Sequence, residues 1–372
     1  MQNNDSITSI YIHIPFCKKL CSYCDFCKNF YKEDLCSKYL DSLRKEIKTK
    51  NINNKMHTIY IGGGTPSSLS LNNLNKLFNI LKDIKLEDTY EFTFECNYED
   101  IDEDLLILLK NNRVNRLSIG LQTFNNKYSK FLNRNINKDE MIQKVMLSKK
   151  YFNNINVDLM YGFYNQTLEE LKEDINEFIK LEVNHISTYC LIKEKHTMLD
   201  ILNTPELDGD IQNQIYYLIC NTLKDNGYIH YEISNFSKSN YESKHNLVYW
   251  NNEKYYGFGL GASGFINNLR YTNTKNIINY NKGNYIYEKD IIDKNQMILD
   301  EVMLNLRKKE GIKLSSFKNK YNYSFSELFK IDELLIDNLL IKTKTTIFIP
   351  EDKMFVSNEI IIRLFDNYLG IC

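Results

Sequence analysis

Cys17, Cys21, Cys24 and Cys27 crowd one short loop behind a strand-like run, and nothing else in the chain constrains it as much. Ser9-Ile10-Tyr11-Ile12-His13-Ile14 alternates β-branched or aromatic residues and stops at Pro15, the pattern of a strand ending in a loop. The first three cysteines are spaced C-x3-C-x2-C, with Tyr23 and Phe26 between and after them. Three thiolates on one loop can hold three irons of a [4Fe–4S] cube and leave the fourth iron without a protein ligand. An open iron is a place for chemistry, by the logic that keeps one position free in catalytic zinc sites. The rival reading is a four-cysteine zinc knuckle, with Cys27 closing the tetrahedron. It leaves the polar residues at later strand ends without a purpose.

Composition narrows the setting. The 372 residues suffice for one large domain of about 250 residues and a smaller one. A formal net charge of -1 gives no general electrostatic case for nucleic acid or an anionic membrane surface. The abundance of Asn, Lys and Ile reads as compositional bias filling surface positions. Nine cysteines, four of them on one loop, suit a metal site in a reducing compartment better than a disulfide framework. Cys36, Cys96, Cys190, Cys220 and Cys372 are scattered and read as small core or surface residues. No apolar run approaches the roughly 18 residues that span a bilayer. Met1-Gln2-Asn3-Asn4-Asp5 carries no signal or transit pattern, so the expectation is a soluble, cytoplasmic protein.

Strand-like runs recur at His57–Gly62, Tyr90–Asn97, Arg116–Gln122, Ile155–Gly162 and His185–Ile192. Between them lie amphipathic stretches at Leu35–Lys48, Leu71–Leu81, Glu103–Lys110, Asp139–Tyr151 and Thr167–Leu181. Six strands alternating with helices imply a parallel sheet with right-handed crossovers, here an α/β fold built as an incomplete (β/α)6 TIM-like barrel. Ligands of such sheets sit at the carboxyl ends of the strands. Ile211–Asn226 reads as a further helix and Tyr231–Phe265 as a loop-rich stretch. After Gly283 the texture changes. Gln296–Arg307, Leu314–Tyr321 and Phe325–Asn338 look helical, then come two β runs (Leu339–Ile349, Lys353–Val356) and a helix at Ser357–Phe365. The expected division is therefore 1–283 for the barrel and 284–372 for a winged-helix-like α+β domain, read as a lid or partner surface.

Tyr11 to Phe26 resembles the signature of the radical S-adenosylmethionine (SAM) enzymes, in the branch that holds oxygen-independent coproporphyrinogen III oxidases and HemW-type haem chaperones. Later motifs extend the resemblance over most of the chain. Gly62-Gly63-Gly64-Thr65-Pro66 follows the second strand. Its glycines let backbone approach a ligand and offer N–H groups to a carboxylate, and no Gly-Lys-Ser/Thr follows to make it a phosphate loop. The resemblance implies that Gly63, Gly64 and Thr65 hold the amino-acid end of SAM. Glu95 is a strand-end carboxylate that it places on SAM, although Cys96 and Tyr98 replace the usual alanine and proline. Gln122, Arg134 and Asp158 line a second SAM or substrate pocket in the relatives, and a structural ion pair is the alternative for the last two. Asn133 stands before Arg134 where the family has glycine. Tyr11, Tyr23 and Ile192 would flank the cofactor as apolar walls.

His245, with Asn246, Tyr249 and the only tryptophan, Trp250, beside it, has the chemistry of an axial iron ligand in an aromatic porphyrin pocket. A hydrogen-bonded structural histidine is the alternative. The resemblance to the His-Asn…Tyr-Trp motif of the haem chaperones puts contact with haem on a level with that alternative. It implies a [4Fe–4S] cluster, SAM and haem as cofactors. The implied partners are an electron donor and haem-accepting apoproteins, membrane-associated ones among them, with no nucleic acid and no transmembrane segment. The resemblance permits SAM cleavage to a 5′-deoxyadenosyl radical without establishing that the chain is an enzyme. Two features favour the chaperone over the oxidase. Phe26 occupies the position of the oxidase's extra cysteine, which leaves Cys27 a spare thiol, and the signature strand begins about ten residues in.

Overall fold

The computed structural model describes residues 7–195 and 197–371; the terminal pentapeptide and Cys372 considered above lie outside them. Six parallel strands stand where the periodicity predicts them: β1 (Ser9–Ile14), β2 (Met56–Gly63), β3 (Leu86–Asn97), β4 (Arg116–Gln122), β5 (Ile155–Tyr161) and β6 (His185–Cys190). Of three further strands, β7 (Ile229–Glu232) runs into the stretch expected to be loop-rich, and β8 (Asn235–Ser237) and β9 (Tyr256–Phe258) lie within it. The sheet order is β9-β1-β2-β3-β4-β5-β6-β8-β7, with β9 parallel to β1 and β8 antiparallel to β6 and β7. Sequential parallel pairing with a helix in each crossover is the α/β arrangement predicted.

Parallel strands covered on both faces normally read as unbroken apolar runs. These alternate instead. Ile10, Ile12, Ile59, Ile61, Phe92, Phe94, Leu117, Ile119, Val157 and Leu159 share one core with the apolar stripes of the crossover helices. Residues between them carry tyrosines, acids, amides and a buried arginine on the other face. Hydrogen-bond register sets these in rows: Tyr11, Tyr60, Thr93 and Arg116, then Glu95, Ser118, Asn156 and His185, then Asn97, Gly120, Asp158 and Ser187 nearer the carboxyl ends. Ser70, Asp102, Asn137 and Thr167 cap the amino ends of four crossover helices with their side chains, which sharpens each strand-to-helix turn.

A separate antiparallel sheet of three strands follows, Ser263–Ile266, Leu269–Asn273 and Ile286–Ile291. The rest is helical, with a small antiparallel sheet of Ile312–Lys313, Thr346–Phe348 and Ile341–Lys342. The β run expected at Lys353–Val356 is a 3-10 turn, which Pro350 opens. The helix expected at Phe325–Asn338 is split in two, with Phe329 extended between the halves.

Candidate functional site

The cysteine loop leaves β1 at the carboxyl ends of the strands and forms one side of a cavity of about 750 Å3. Cys17, Cys21, Cys24 and Tyr23 line it from the loop, and Gly63, Gly64 and Thr65 from the end of β2. Glu95, Gln122, Arg134, Asp158 and Ile192 complete the predicted set on its far walls. Two predicted residues are elsewhere. Tyr11 lies one row deeper, its hydroxyl on His13 Nδ1 at 3.0 Å. His245 lies at the opposite end of the strands.

The loop is held from three sides. Arg134 donates to Gly120 O at 2.9 Å and Asn97 Oδ1 at 2.5 Å, and its other terminal nitrogen reaches Cys21 Sγ at 3.6 Å. Thr65 Oγ1 donates to Cys17 Sγ at 3.5 Å. His13 Nε2 donates to the carbonyl of Cys27 at 2.7 Å, which leaves Nδ1 to accept from Tyr11. Burial lowers the pKa of His13 to about 4, against the Cys27 bond, so the ring is neutral. Asn133 takes the left-handed conformation (φ 50°) that asparagine tolerates, and its side chain donates to Leu20 O at 2.8 Å. Neither His13 nor Asn133 stands out as a site residue in the sequence. The available clues are a polar residue on an inward strand position and an asparagine in a glycine's place.

The donor set fits a cluster held by three cysteines. Among the described residues no three His, Cys, Asp or Glu side chains converge as a site for one metal ion. The three thiols share a cavity wall instead. Cys27, the fourth ligand a zinc knuckle needs, is absent from that wall, and its thiol faces Lys275 O at 3.9 Å. Burial pushes Cys17 up to about 11, opposed by the Thr65 bond, so the bare thiol is protonated at neutral pH and a bound cation would keep it a thiolate. Hydrogen bonds to the sulfurs are the kind of surrounding that tunes such a centre.

The glycine run works differently from its reading in the sequence. Gly63 N–H donates to Glu95 Oε2 at 3.0 Å, Gly64 N–H to Ile14 O at 2.9 Å and Thr65 N–H to Phe16 O at 2.8 Å. These N–H groups are committed inside the protein. A Cβ on Gly62 would sit 2.6 Å from the Glu95 carboxylate, and one on Gly63 (φ 114°) 2.5 Å from the His13 ring. Both glycines therefore make room for the acid and the histidine. Tyr60 OH gives Glu95 its other bond, at 2.7 Å. Burial raises Glu95 to about 7 despite these two donors, and raises Asp158 to about 6 despite a 2.8 Å bond from Asn156 Nδ2. Gln122 sits at an irregularity in the β4–β5 register with φ 72°, strain of about 1–3 kcal/mol for a non-glycine residue, of the sort that collects at ligand sites.

His245 is 1% exposed. Its Nδ1 pairs with Thr58 Oγ1 at 2.8 Å and its Nε2 with Tyr249 OH at 2.8 Å, the engagement expected of a hydrogen-bonded structural histidine. Phe26 and Ile192, by contrast, are 63% and 60% exposed on the cavity wall.

Residues 11–178 match the family model described as Radical SAM superfamily. The chain is 38% identical to Heme chaperone HemW of Lactococcus lactis subsp. lactis (strain IL1403) over 97% of each chain. It is 35% identical to Heme chaperone HemW of Bacillus subtilis (strain 168), over 97% of this chain and 99% of that one. The solved coproporphyrinogen III oxidase (HemN) of Escherichia coli aligns with a TM-score of 0.85 over 97% of this chain and 90% of its own, at 20% identity, a likeness of fold. The chain belongs to the HemW family, within the radical SAM superfamily.

Proposed function

We propose that the protein is a haem chaperone: it binds haem and passes it to an acceptor apoprotein, and it carries a [4Fe–4S] cluster and SAM in the cavity at the strand ends. The observation that carries this reading is the end-to-end similarity to several relatives named as heme chaperones. Phe26 supports it, standing exposed on the cavity wall where the oxidase branch has a further cysteine.

In this reading Cys17, Cys21 and Cys24 hold the cluster, and Glu95, with Gly63, Gly64 and Thr65 beside it, receives the amino-acid end of SAM. Tyr23 and Ile192 bound the same cavity, and Gln122, Arg134 and Asp158 form its polar wall. Bound together, cluster and SAM supply one-electron chemistry at a vacant iron position. The chain's own part is to orient the ligand and exclude water from the buried carboxylates. Among the described residues no helix is long and apolar enough to cross a membrane. A cytoplasmic location, an electron donor and acceptors that include membrane-associated apoproteins belong to the same proposal.

The test uses anaerobically reconstituted protein. Titration with hemin should give a saturable Soret band, and haem should then move to a haem-free acceptor protein. Incubation with coproporphyrinogen III, SAM and a reductant should release no carbon dioxide. Release of carbon dioxide with formation of protoporphyrinogen would overturn the chaperone reading in favour of the oxidase.

A further inference from the structure

The Lys244–Trp250 helix sits at the amino ends of the strands, opposite the cavity, yet the residues between it and Glu95 form an unbroken set of contacts. Glu91, at the start of the regular pairing of β3 with β2, receives the backbone N–H groups of Lys244 and His245 at 3.0 Å each, which fixes the helix end against the sheet. The His245 ring bridges Thr58 on β2 and Tyr249 one helical turn on. Its face lies on Tyr60, with ring centres 5.2 Å apart and planes 30° apart, and near Tyr11 at 6.5 Å. Tyr60 in turn donates to Glu95 Oε1 at 2.7 Å. Three successive levels of the interior are thus stacked: the histidine, the tyrosine, the acid.

We infer that His245 is a positioning residue for Glu95, acting through Tyr60, and is not an axial ligand to haem iron. Two observations stand behind this independently. Both ring nitrogens are engaged by hydroxyls in a site 1% exposed, so an iron would have to displace Thr58 or Tyr249 and open the floor of the interior. And Tyr60, packed on that ring, supplies the only side-chain hydrogen bond given to Glu95 among the described residues. Truncating the ring leaves a void under Tyr60, into which the phenol can tilt away from the acid. The inference rests on the reading of Glu95 as a SAM-binding group.

The experiment measures SAM affinity of the cluster-loaded protein by equilibrium dialysis and hemin affinity by Soret titration, for the parent, His245→Ala, His245→Gln, Tyr60→Phe and the His245→Ala/Tyr60→Phe double variant. His245→Ala and Tyr60→Phe should each weaken SAM binding by about tenfold, the scale of one misdirected buried hydrogen bond. The double variant should be no weaker than either single one, because both act on the same bond. His245→Gln, which keeps a polar group of similar reach, should recover most of the loss, and the Soret maximum should match the parent's in every variant. A merely structural histidine would lower the melting temperature and leave SAM affinity additive or unchanged. Unchanged SAM affinity with a lost or shifted Soret band in His245→Ala overturns the inference. Should His245→Ala fail to fold, Tyr60→Phe decides: unchanged SAM affinity in that variant overturns it. If the parent itself binds no hemin, the chaperone reading falls while the SAM series still judges the positioning role.

Discussion

The two ends of the sheet's polar face differ in what their groups have to bond. At the amino ends the acid and the histidine are matched inside the protein: Glu91 receives two backbone N–H groups, and His245 uses both nitrogens. At the carboxyl ends the groups face a cavity. Glu95 and Asp158 are buried carboxylates bonded by neutral donors, burial lifts both, and three thiols, a left-handed glutamine and two exposed apolar side chains surround a cavity of about 750 Å3. Buried carboxylates held above their ordinary range destabilise the ligand-free fold, so their concentration beside a cavity marks where a ligand sits. Polarity alone does not identify a site; lifted acids and thiols on one cavity wall do.

The largest expected difference between the ends concerns metal. Cys17→Ala, Cys21→Ala or Cys24→Ala should each reduce iron and acid-labile sulfide in the reconstituted protein to near background, whereas His245→Ala should leave both within about a factor of two, because the floor shares no ligand with the loop. Equal loss from both ends would erase the contrast. Next, Glu95→Ala should weaken SAM binding by about 100-fold or more, since it removes a charged acceptor from a dry site; calorimetric titration checks this.

A smaller effect follows from pH. With Glu95 near 7, its ionised fraction rises steeply between pH 6 and 8, so affinity for the SAM ammonium should rise by about tenfold over that range and flatten in Glu95→Gln. The sign for stability is opposite. The folded acid keeps a proton that the unfolded chain releases near 4.5, so ligand-free stability should fall as pH rises from about 4.5 to about 7. Glu95→Gln should remove that loss and stabilise the ligand-free protein at pH 8 by about 1–3 kcal/mol, read from denaturant melts. Glu91→Gln at the opposite end should instead destabilise at pH 8, by about 1 kcal/mol, as a weakened helix cap does. The smallest expected change is in Cys27→Ala, which should keep full iron content and shift stability by no more than about 0.5 kcal/mol. Loss of cluster in that variant would make Cys27 a ligand and remove the vacant iron position.

Much of this was legible before the structure. Apolar residues at period two, interrupted by capped amphipathic helices, placed all six parallel strands, and the cysteine spacing placed the loop. Twelve of the predicted ligand and cofactor residues, from Cys17 to Ile192, line one cavity. The strands that join the main sheet after Ile192 were harder to read, because they are short (three or four residues each) and take their pairing from a sheet already built. The glycine run was misread in its chemistry: its N–H groups serve Glu95, Ile14 and Phe16, and the need for glycine comes from side chains arriving out of neighbouring strands. Asn133 is the converse. Expected only as a departure from the resemblance, it takes a left-handed conformation and adds a bond to the cysteine loop.

By itself the sequence determined which groups this protein owns and along which strand or loop each lies, because local periodicity and spacing are written in neighbouring residues. Only the tertiary structure decided which of them pair inside the protein and which face the cavity. Whether a histidine nitrogen or a carboxylate oxygen is satisfied depends on residues tens to hundreds of positions away: Thr58 for His245, Tyr60 for Glu95, Gly120 for Arg134. Hydrogen bonds are short-ranged in space and indifferent to separation along the chain.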